Sequence, residues 1–325
     1  MKLKNISPSA TACAFLMLSG LSASAQDELQ EIQKRSATGV IEEFSVFKAD
    51  KTMRQGAYVK YRPAGPLNGV IIFETGSYDH GQKDGEWRTF SEIFPWNKLR
   101  VKGTYRAGIQ EGQWIYYHAN FSPGASKRAV AINSEKPKSN FAVDVEDTTA
   151  VVQAKGFCHK GARVGLWKYY DETSTLAQAI NHSSNQVVYW QQASAQPVTG
   201  EATAKNHPLL YVGGKRQLKW DIANGIDLKQ IILSGQSMVK AWGQSSLELV
   251  FMVDSTGNQT SMSVTHAAPF SKYERFIVSE VSKLALRWQP QVVEGAGVTA
   301  AYHVTVVAEK PNERGIILTV NPLGD

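Results

Sequence analysis

Small, polar and aromatic positions recur in a fixed order in three stretches of the chain. Residues 76–90 (GSYDHGQKDGEWRTF), 103–117 (GTYRAGIQEGQWIYY) and 156–170 (GFCHKGARVGLWKYY) all follow the pattern G-x-[YC]-x-x-G-x-x-x-G-x-W-x-x-[FY]. Gly-x-Tyr fits an extended strand, where successive side chains face opposite sides. The two later glycines bracket a polar segment that suits positive φ and a hairpin turn. Each stretch is therefore predicted to be a β-hairpin, repeated in register.

The residues that define the repeat are three glycines, a tyrosine and a tryptophan of the returning strand. They are Gly76, Tyr78, Gly81, Gly85 and Trp87; Gly103, Tyr105, Gly108, Gly112 and Trp114; and Gly156, Gly161, Gly165 and Trp167. A degenerate fourth copy, GAYVKY, precedes them at 56–61. A lone hairpin is marginally stable in water, whereas stacked hairpins bury each tryptophan against the next unit. We therefore predict that these residues have turn and packing roles.

A ligand-binding role for these glycines does not fit their context. A phosphate-binding glycine loop lies between a strand and a helix, and both flanks of each stretch read as strand. The spacing also changes along the chain, since Trp87 and Trp114 are 27 residues apart but Trp114 and Trp167 are 53 apart. The intervening segment, about 119–150, lacks the glycine pattern. It is either an excursion loop or a further, decayed hairpin.

The pattern changes from about residue 206. Leu218, Ile222 and Ile226 have helical spacing and predict a short helix near 214–225. Alternating residues on both sides of 255–258 then predict a hairpin.

A second helix and a final strand complete the predicted order helix, strand, strand, helix, strand. The helix has one apolar face, with Ser271 as its N-cap and Pro290 after its end. That face consists of Phe276, Ile277, Val281, Leu284 and Trp288. The strand covers 298–308.

The chain begins with a leader-like pattern. Lys2 and Lys4 precede an apolar run of about ten residues, half of what a membrane span requires, and Ala23-Ser24-Ala25 forms an A-x-A cleavage site. Residues 1–25 are thus predicted to be a secretory signal peptide. A lipoprotein anchor would need a cysteine after the apolar run, whereas Cys13 precedes its end; an uncleaved signal anchor is the other alternative.

Composition and charge narrow the class of protein. The 325 residues are 42% hydrophobic and 20% charged, which is typical of a globular protein, and the length favours two domains. Cleavage after Ala25 removes two lysines and no acidic residue, so the formal charge falls from +6 to +4. No run of like charges predicts a nucleic-acid partner. Cleavage also leaves Cys158 as the single cysteine, so no intramolecular disulfide can form.

The chain lacks patterns of catalytic or metal-ligating residues. None of its 7 histidines has H-x-x-x-H or H-E-x-x-H spacing, and no cysteine pair supports a zinc site. His80 and His159 fall in predicted repeat turns. Residues 45–48 match S-x-x-K without its partner motifs, and SGQSM at 234–238 lacks the closing glycine of a nucleophile elbow. We therefore predict no catalytic residue, no metal site and no cofactor.

The repeat resembles the MORN-repeat variant of the YwqK-type family. The similarity covers about residues 43–192, including the lead-in EEFSVFKADKTMRQGAYVKY and the strand-like INHSSNQVVYW. It implies a stack of β-hairpins and specifies no activity. Some members carry an antitoxin name, which fits poorly with an exported chain; a toxin-neutralising role is therefore only an alternative.

Residues 206–309 resemble the TonB C-terminal domain family. The resemblance lies in VFMVDSTGNQ and in LRWQPQVVEGAGVTAAYHVTV, where Trp288, Pro290 and Gly295 follow the family's W-x-P…G…Y-x-V pattern. The opening HPLLYVGG is similar to the version fused to such repeats in envelope proteins of diderm bacteria. The chain lacks a proline-rich spacer, so the resemblance does not extend to energy transduction.

The TonB resemblance implies docking by strand addition, in which a sheet edge pairs with an extended segment of a partner. The strand at 298–308, with Tyr302, Val304 and Val306, is the candidate edge. The tail GIILTVN at 315–321 offers the alternative that it pairs with this strand and caps it.

These observations predict a mainly β protein with an α+β C-terminal domain. Its predicted parts are the signal peptide 1–25, an N-terminal segment 26–42, MORN-like hairpins 43–192, a linker 193–205 and a TonB-C-like domain 206–325.

The predicted function is that of a non-enzymatic scaffold or adaptor, periplasmic or secreted, whose partner is an envelope protein or peptide. The alternative is a carbohydrate- or peptidoglycan-binding module that uses exposed aromatics such as Trp96, Tyr117 and Tyr170. An enzyme whose site lies in the 119–150 segment is a third hypothesis.

Overall fold

The computed structural model describes residues 28–63, 70–91, 98–118, 150–191, 198–199, 205–226, 245–265, 272–312 and 315–323. The protein is mainly β, and the described residues include two helices. The predicted signal peptide, the segment 119–149, most of the predicted linker, Trp96 and the Ser271 cap lie outside the described residues. No helix among the described residues is long and apolar enough to cross a membrane.

One long antiparallel sheet takes up the first two thirds of the chain. Each of its twelve strands pairs with the next strand in the sequence. The strands are β1 (Leu29–Arg35), β2 (Ile41–Phe47), β3 (Arg54–Pro63), β4 (Val70–Asp79), β5 (Gln82–Phe90), β6 (Leu99–Arg106), β7 (Ile109–Tyr117), β8 (Val152–His159), β9 (Ala162–Tyr170), β10 (Leu176–Asn181), β11 (Gln186–Trp190) and β12 (Val198–Thr199). The predicted linker therefore contributes a short strand.

The three predicted hairpins are confirmed as β4–β5, β6–β7 and β8–β9. Both residues of each two-residue turn have positive φ, the geometry that matches the twist of the flanking strands. The φ values are 45° and 80° at His80 and Gly81, 48° and 78° at Ala107 and Gly108, and 50° and 81° at Lys160 and Gly161. Glycine at the second position adopts this conformation without steric cost.

The first glycine of each repeat makes room for the tryptophan of the same hairpin. A Cβ atom on Gly156 would lie 2.3 Å from Cδ2 of Trp167, whose side chain is fully buried. Gly76 and Gly103 have the same relation to Trp87 and Trp114. The sheet can therefore place a flat indole across the neighbouring strand, and only glycine fits beneath it.

The repeat tryptophans form part of a continuous row of rings. Each ring centroid lies between 5.2 and 6.4 Å from the next along Tyr58, Trp87, Tyr105, Trp114, Tyr116 and Trp167. Tyr58 of the degenerate fourth copy pairs with Gly76, as Trp87 pairs with Gly103. Cations cover the row: Lys83 Nζ lies 3.8 Å from the Trp87 ring, and Arg163 Cζ 4.4 Å from the Trp167 ring.

The rest of the chain is α+β. Its elements are β13 (Leu210–Tyr211), α1 (Gly214–Gly225), β14 (Ser245–Val253), β15 (Gln259–Thr265), α2 (Lys272–Ser282), β16 (Trp288–Gln289), β17 (Gln291–Val293), β18 (Ala296–Val298), β19 (Ala300–Asn312) and β20 (Gly315–Leu323). The two helices pack on one face of a four-stranded antiparallel sheet with the order β15-β14-β19-β20. The predicted first helix and the hairpin around 255–258 are confirmed.

Of the two alternatives for residues 298–308, the free sheet edge is wrong and the strand capped by the tail is confirmed. Strand β19 lies between β14 and β20, and the tail 315–321 lies within β20, as the capping alternative proposed. Tyr302, Val304 and Val306 are 6%, 0% and 1% exposed and belong to the core. Alternate side chains on β19 pack under the helices, and both of its sides are used by neighbouring strands.

The prediction that the second helix reaches Trp288 is also wrong. The helix ends at Ser282, and Trp288 lies in β16, which pairs with β13. The Trp288 ring packs edge-on against Tyr211 at a centroid distance of 5.1 Å. Trp288 has the apolar spacing of a helical face, but a tertiary strand pair determines its position.

Candidate functional site

A cleft of about 920 Å³ lies between the long sheet and α1. Its sheet side is formed by residues from five strands and the residue after β7, and its other side by α1 and the middle of β20. The sheet side includes Arg100, His118, Gln153, Tyr170, Gln178 and Trp190; the other side includes Lys215, Arg216, Gln217, Lys219, Trp220, Thr319 and Val320. We call this cavity the interdomain cleft.

Buried polar and apolar contacts hold the two walls of the cleft together. Gln178, 2% exposed, donates from Nε2 to the Tyr211 carbonyl at 3.2 Å and accepts from the Gly213 amide at 2.9 Å. Leu210 and Val212 belong to the same core cluster as the repeat aromatics. If the Gln178 side chain were removed, the Tyr211 carbonyl and the Gly213 amide would lose their hydrogen-bond partner, which costs free energy in a buried site. The C-terminal region is therefore docked on the sheet.

Basic side chains outnumber acidic ones around the cleft. The basic residues are Arg100, Lys215, Arg216 and Lys219, and the acidic ones are Asp171 and Glu172. Among its lysine, arginine, aspartate and glutamate side chains, the cleft has a formal surplus of two positive charges.

The carboxylates of the cleft have partners on the protein. Glu172 pairs with Arg216 Nη1 at 2.9 Å. Asp171 Oδ1 accepts from the backbone and hydroxyl of Thr173 at 2.8 and 2.6 Å, and from the Thr175 amide at 3.0 Å. Burial opposes ionisation of Asp171, but these hydrogen bonds outweigh it and lower its pKa. Neither carboxylate compensates Arg100.

Arg100 is a partly buried guanidinium in the cleft wall. Its Nη1 is shielded from solvent and has no hydrogen-bond partner among the described residues. Its Cζ lies 5.5 Å from the ring centroid of Trp220, and burial lowers the pKa of the guanidinium. A desolvated guanidinium above an indole is stabilised by the cation–π interaction, but its N–H donors without acceptors remain unsatisfied.

The Trp190 indole, also in the cleft wall, is 6% exposed, and its Nε1 has no acceptor among the described residues. In contrast, Trp87 Nε1 donates to the Ser77 carbonyl at 3.0 Å, and Trp167 Nε1 to the Phe157 carbonyl at 2.9 Å. Because buried N–H groups normally find a partner, the Trp190 indole is an unusual donor in this wall.

A second feature of the C-terminal region is the edge at β15. Among the described residues, no strand pairs with its outer side. Its seven residues, QTSMSVT, include no charge and no proline, and Met262 and Val264 pack against the core. Proteins usually protect such edges with charges, prolines or very short strands.

The other edges of the two large sheets have such protection. Strand β1 carries Glu31, Lys34 and Arg35, and β12 is two residues long. Strand β20 lies against α1 and contains Pro322. The uncharged β15 edge is therefore the best suited of these edges to pair with another strand.

The predicted site residues fall into separate places. The repeat glycines and tryptophans are structural, and Tyr302, Val304 and Val306 are core residues. His80 lies in the β4–β5 turn, and His159, predicted to be in a turn, is the last residue of β8; they are exposed and contact Asp79 and Glu111, respectively, at 2.8 Å.

Of the aromatics proposed for carbohydrate binding, Tyr117 packs against the core, whereas Tyr170 lines the cleft. The described residues contain no group of three or more potential metal ligands.

Sequence reasoning missed Arg100, Trp190 and Trp220 as cleft residues. One signal was present: Trp220 lies on the polar side of α1, two residues from Leu218 and Ile222, and is 39% exposed. Arg100 offered no such signal, because a lone arginine in a strand resembles any solvated charge.

Comparison with family models, curated proteins and solved structures found no match for this chain.

Proposed function

We propose that the protein is an exported, non-enzymatic adaptor of the cell envelope, in which a stack of MORN-like hairpins carries a TonB-C-like domain. The leader-like residues 1–25 support export. The lack of a catalytic pattern in the sequence favours binding over catalysis. The adaptor binds an extended segment of a partner protein.

The uncovered β15 edge is the observation that carries the proposal. An added strand would form main-chain hydrogen bonds with β15, and its alternate side chains would extend the apolar face made by Met262 and Val264. The preferred partner segment is therefore extended and alternates apolar with polar residues. This moves the proposed docking edge from β19 to the opposite side of the same sheet.

Site-specific photo-crosslinking in the cells that produce the protein tests this proposal. A photo-reactive residue at Ser261 or Ser263 on β15 should crosslink to the same partner. The matched control is Ser184, an exposed serine in the β10–β11 turn. Equal labelling from Ser184, or no labelling from β15, would contradict docking at this edge.

Proline substitutions supply the second test. On the regular part of β15, successive amides point to opposite sides, so one of Ser263 and Val264 directs its amide away from β14. At the residue whose amide points outward, proline removes only that unpaired N–H donor. At its neighbour, proline breaks a main-chain hydrogen bond to β14. We expect the variant that keeps the native melting temperature to lose crosslinking. Retention of crosslinking by that variant would refute strand addition.

A further inference from the structure

The interdomain cleft contains buried donors that the protein itself does not satisfy. In the described residues, four buried side-chain polar atoms lack a partner: Arg100 Nη1, Trp114 Nε1, Trp190 Nε1 and Gln289 Oε1. Arg100 and Trp190 both line the cleft, and both of their unsatisfied atoms are donors. Both atoms are shielded from solvent, so a ligand would reach them only with a shift of the side chain, and it would have to supply acceptors.

The charges of the cleft specify the kind of acceptor. Its carboxylates are held by their own turn and by Arg216, while Arg100 and the exposed Lys219 have no acidic partner among the described residues. A guanidinium binds carboxylate or phosphate oxygens through paired, charge-assisted hydrogen bonds. An anionic oxygen group would therefore compensate Arg100 better than a neutral one.

The rest of the cleft specifies the body of the ligand. Trp220, Tyr170 and Trp190 supply aromatic surface beside the cations. The volume of about 920 Å³ is that of a small-molecule site, which is typically mostly apolar with a few placed polar groups. A ring or a short apolar chain can contact these side chains while its anionic group reaches Arg100.

We propose that the interdomain cleft binds a small organic anion, a carboxylate or phosphate attached to a flat or apolar body. Arg100 holds the anionic group, Trp220 and Tyr170 contact the body, and the exposed Lys219 adds to the electrostatic attraction. The cleft is separate from the β15 edge. If the cleft does not bind an anion, the adaptor proposal is unaffected; if no partner strand docks on β15, the anion-site proposal is unaffected.

Nuclear magnetic resonance of the tryptophan-labelled full chain tests the site directly. The probes are benzoate, phenyl phosphate and the neutral analogue benzamide. We expect benzoate or phenyl phosphate to shift the indole N–H signals of Trp190 and Trp220 saturably, with a dissociation constant of about 1 mM. Benzamide should bind at least tenfold more weakly. Trp114, which also lacks an acceptor but lies outside the cleft lining, is the internal control.

Two variants locate the anionic group. Arg100→Gln should weaken benzoate binding at least tenfold, while Arg106→Gln, at the exposed end of the same strand, should leave it unchanged. Lys219→Glu alters only an exposed side chain and should weaken binding several-fold, which gives a result even if Arg100→Gln does not fold.

Equal binding of benzoate, phenyl phosphate and benzamide would overturn the proposal. Unchanged binding by Arg100→Gln and Lys219→Glu would also overturn it, as would signals that do not move. Tighter binding of phenyl phosphate than benzoate would support the site and favour phosphate esters as its ligand class. The opposite order would support the site and favour carboxylic acids.

Discussion

Substitution of Gly156 by alanine tests the explanation of the repeat. The new Cβ would lie 2.3–2.5 Å from Cδ2, Cγ and Cε2 of Trp167, whereas ordinary carbon contacts are about 3.5–4.0 Å. The indole must therefore move by more than about 1 Å in a fully buried site. Its displacement would upset the packing of the row of rings.

The size of the effect follows from the burial of Trp167. Full loss of about 200 Å² of buried surface would cost about 5 kcal/mol. Overpacking that displaces the ring in part costs about 1–3 kcal/mol, and an alanine in a strand recovers about 0.5–1 kcal/mol relative to glycine. We therefore expect Gly156→Ala to lower the free energy of unfolding by about 1 kcal/mol, measured by urea denaturation followed by circular dichroism.

A double-mutant cycle shows whether the clash is the cause. In a Trp167→Leu background the ring is gone, so Gly156→Ala should be neutral or slightly stabilising. The same loss in both backgrounds would refute the proposed contact and point to a backbone requirement at Gly156. A substitution at Gly112 does not serve as the control, since its φ of 73° strains any other residue.

Three further predictions concern buried polar groups. Burial, with the nearby charges of Arg163 and Arg287, lowers the pKa of His182 from 6.5 to about 4. The folded state therefore favours the neutral imidazole, and the stability of the protein should fall as the pH is lowered from 6.5 toward 4. His182→Gln should flatten the dependence of the urea midpoint on pH across this range. Gln178→Leu should destabilise the docked C-terminal region by about 2 kcal/mol, because it leaves the Tyr211 carbonyl and Gly213 amide unpaired. The control Gln186→Leu, on an exposed site, should change stability by less than about 0.5 kcal/mol. Thermal melting distinguishes the two variants. Burial raises the pKa of the Cys158 thiol, so a thiol reagent at neutral pH should label it only after urea unfolds the chain, and labelling of the native protein would contradict its burial.

Local sequence chemistry was sufficient to predict the hairpins. A two-residue turn depends on the φ values its own residues can adopt, and the Gly–Trp pairing depends on residues within one hairpin or its neighbour. The helix at 214–225 and the hairpin around 255–258 were predictable for the same reason. Where the pattern was ambiguous, as at Trp288, the sequence could not distinguish a helical face from a short strand that pairs with distant Tyr211.

The candidate cleft could not be predicted in the same way. Arg100 and Trp220 lie 120 residues apart, and neither has a local pattern that sets it apart from a solvated strand or helix residue. The edge was equally out of reach, since the choice between a free β19 and one capped by the tail was open in the sequence.

The sequence by itself determined the repeat, its turns and its buried aromatics, because these depend on steric rules that act over a few residues. Tertiary structure alone decided that β20 covers β19, that β15 is left with an unpaired side and that α1 closes a cationic cleft against the sheet. These outcomes depend on which distant surfaces compete for the same strand edge or apolar face. That competition is settled by the free energy of the whole fold.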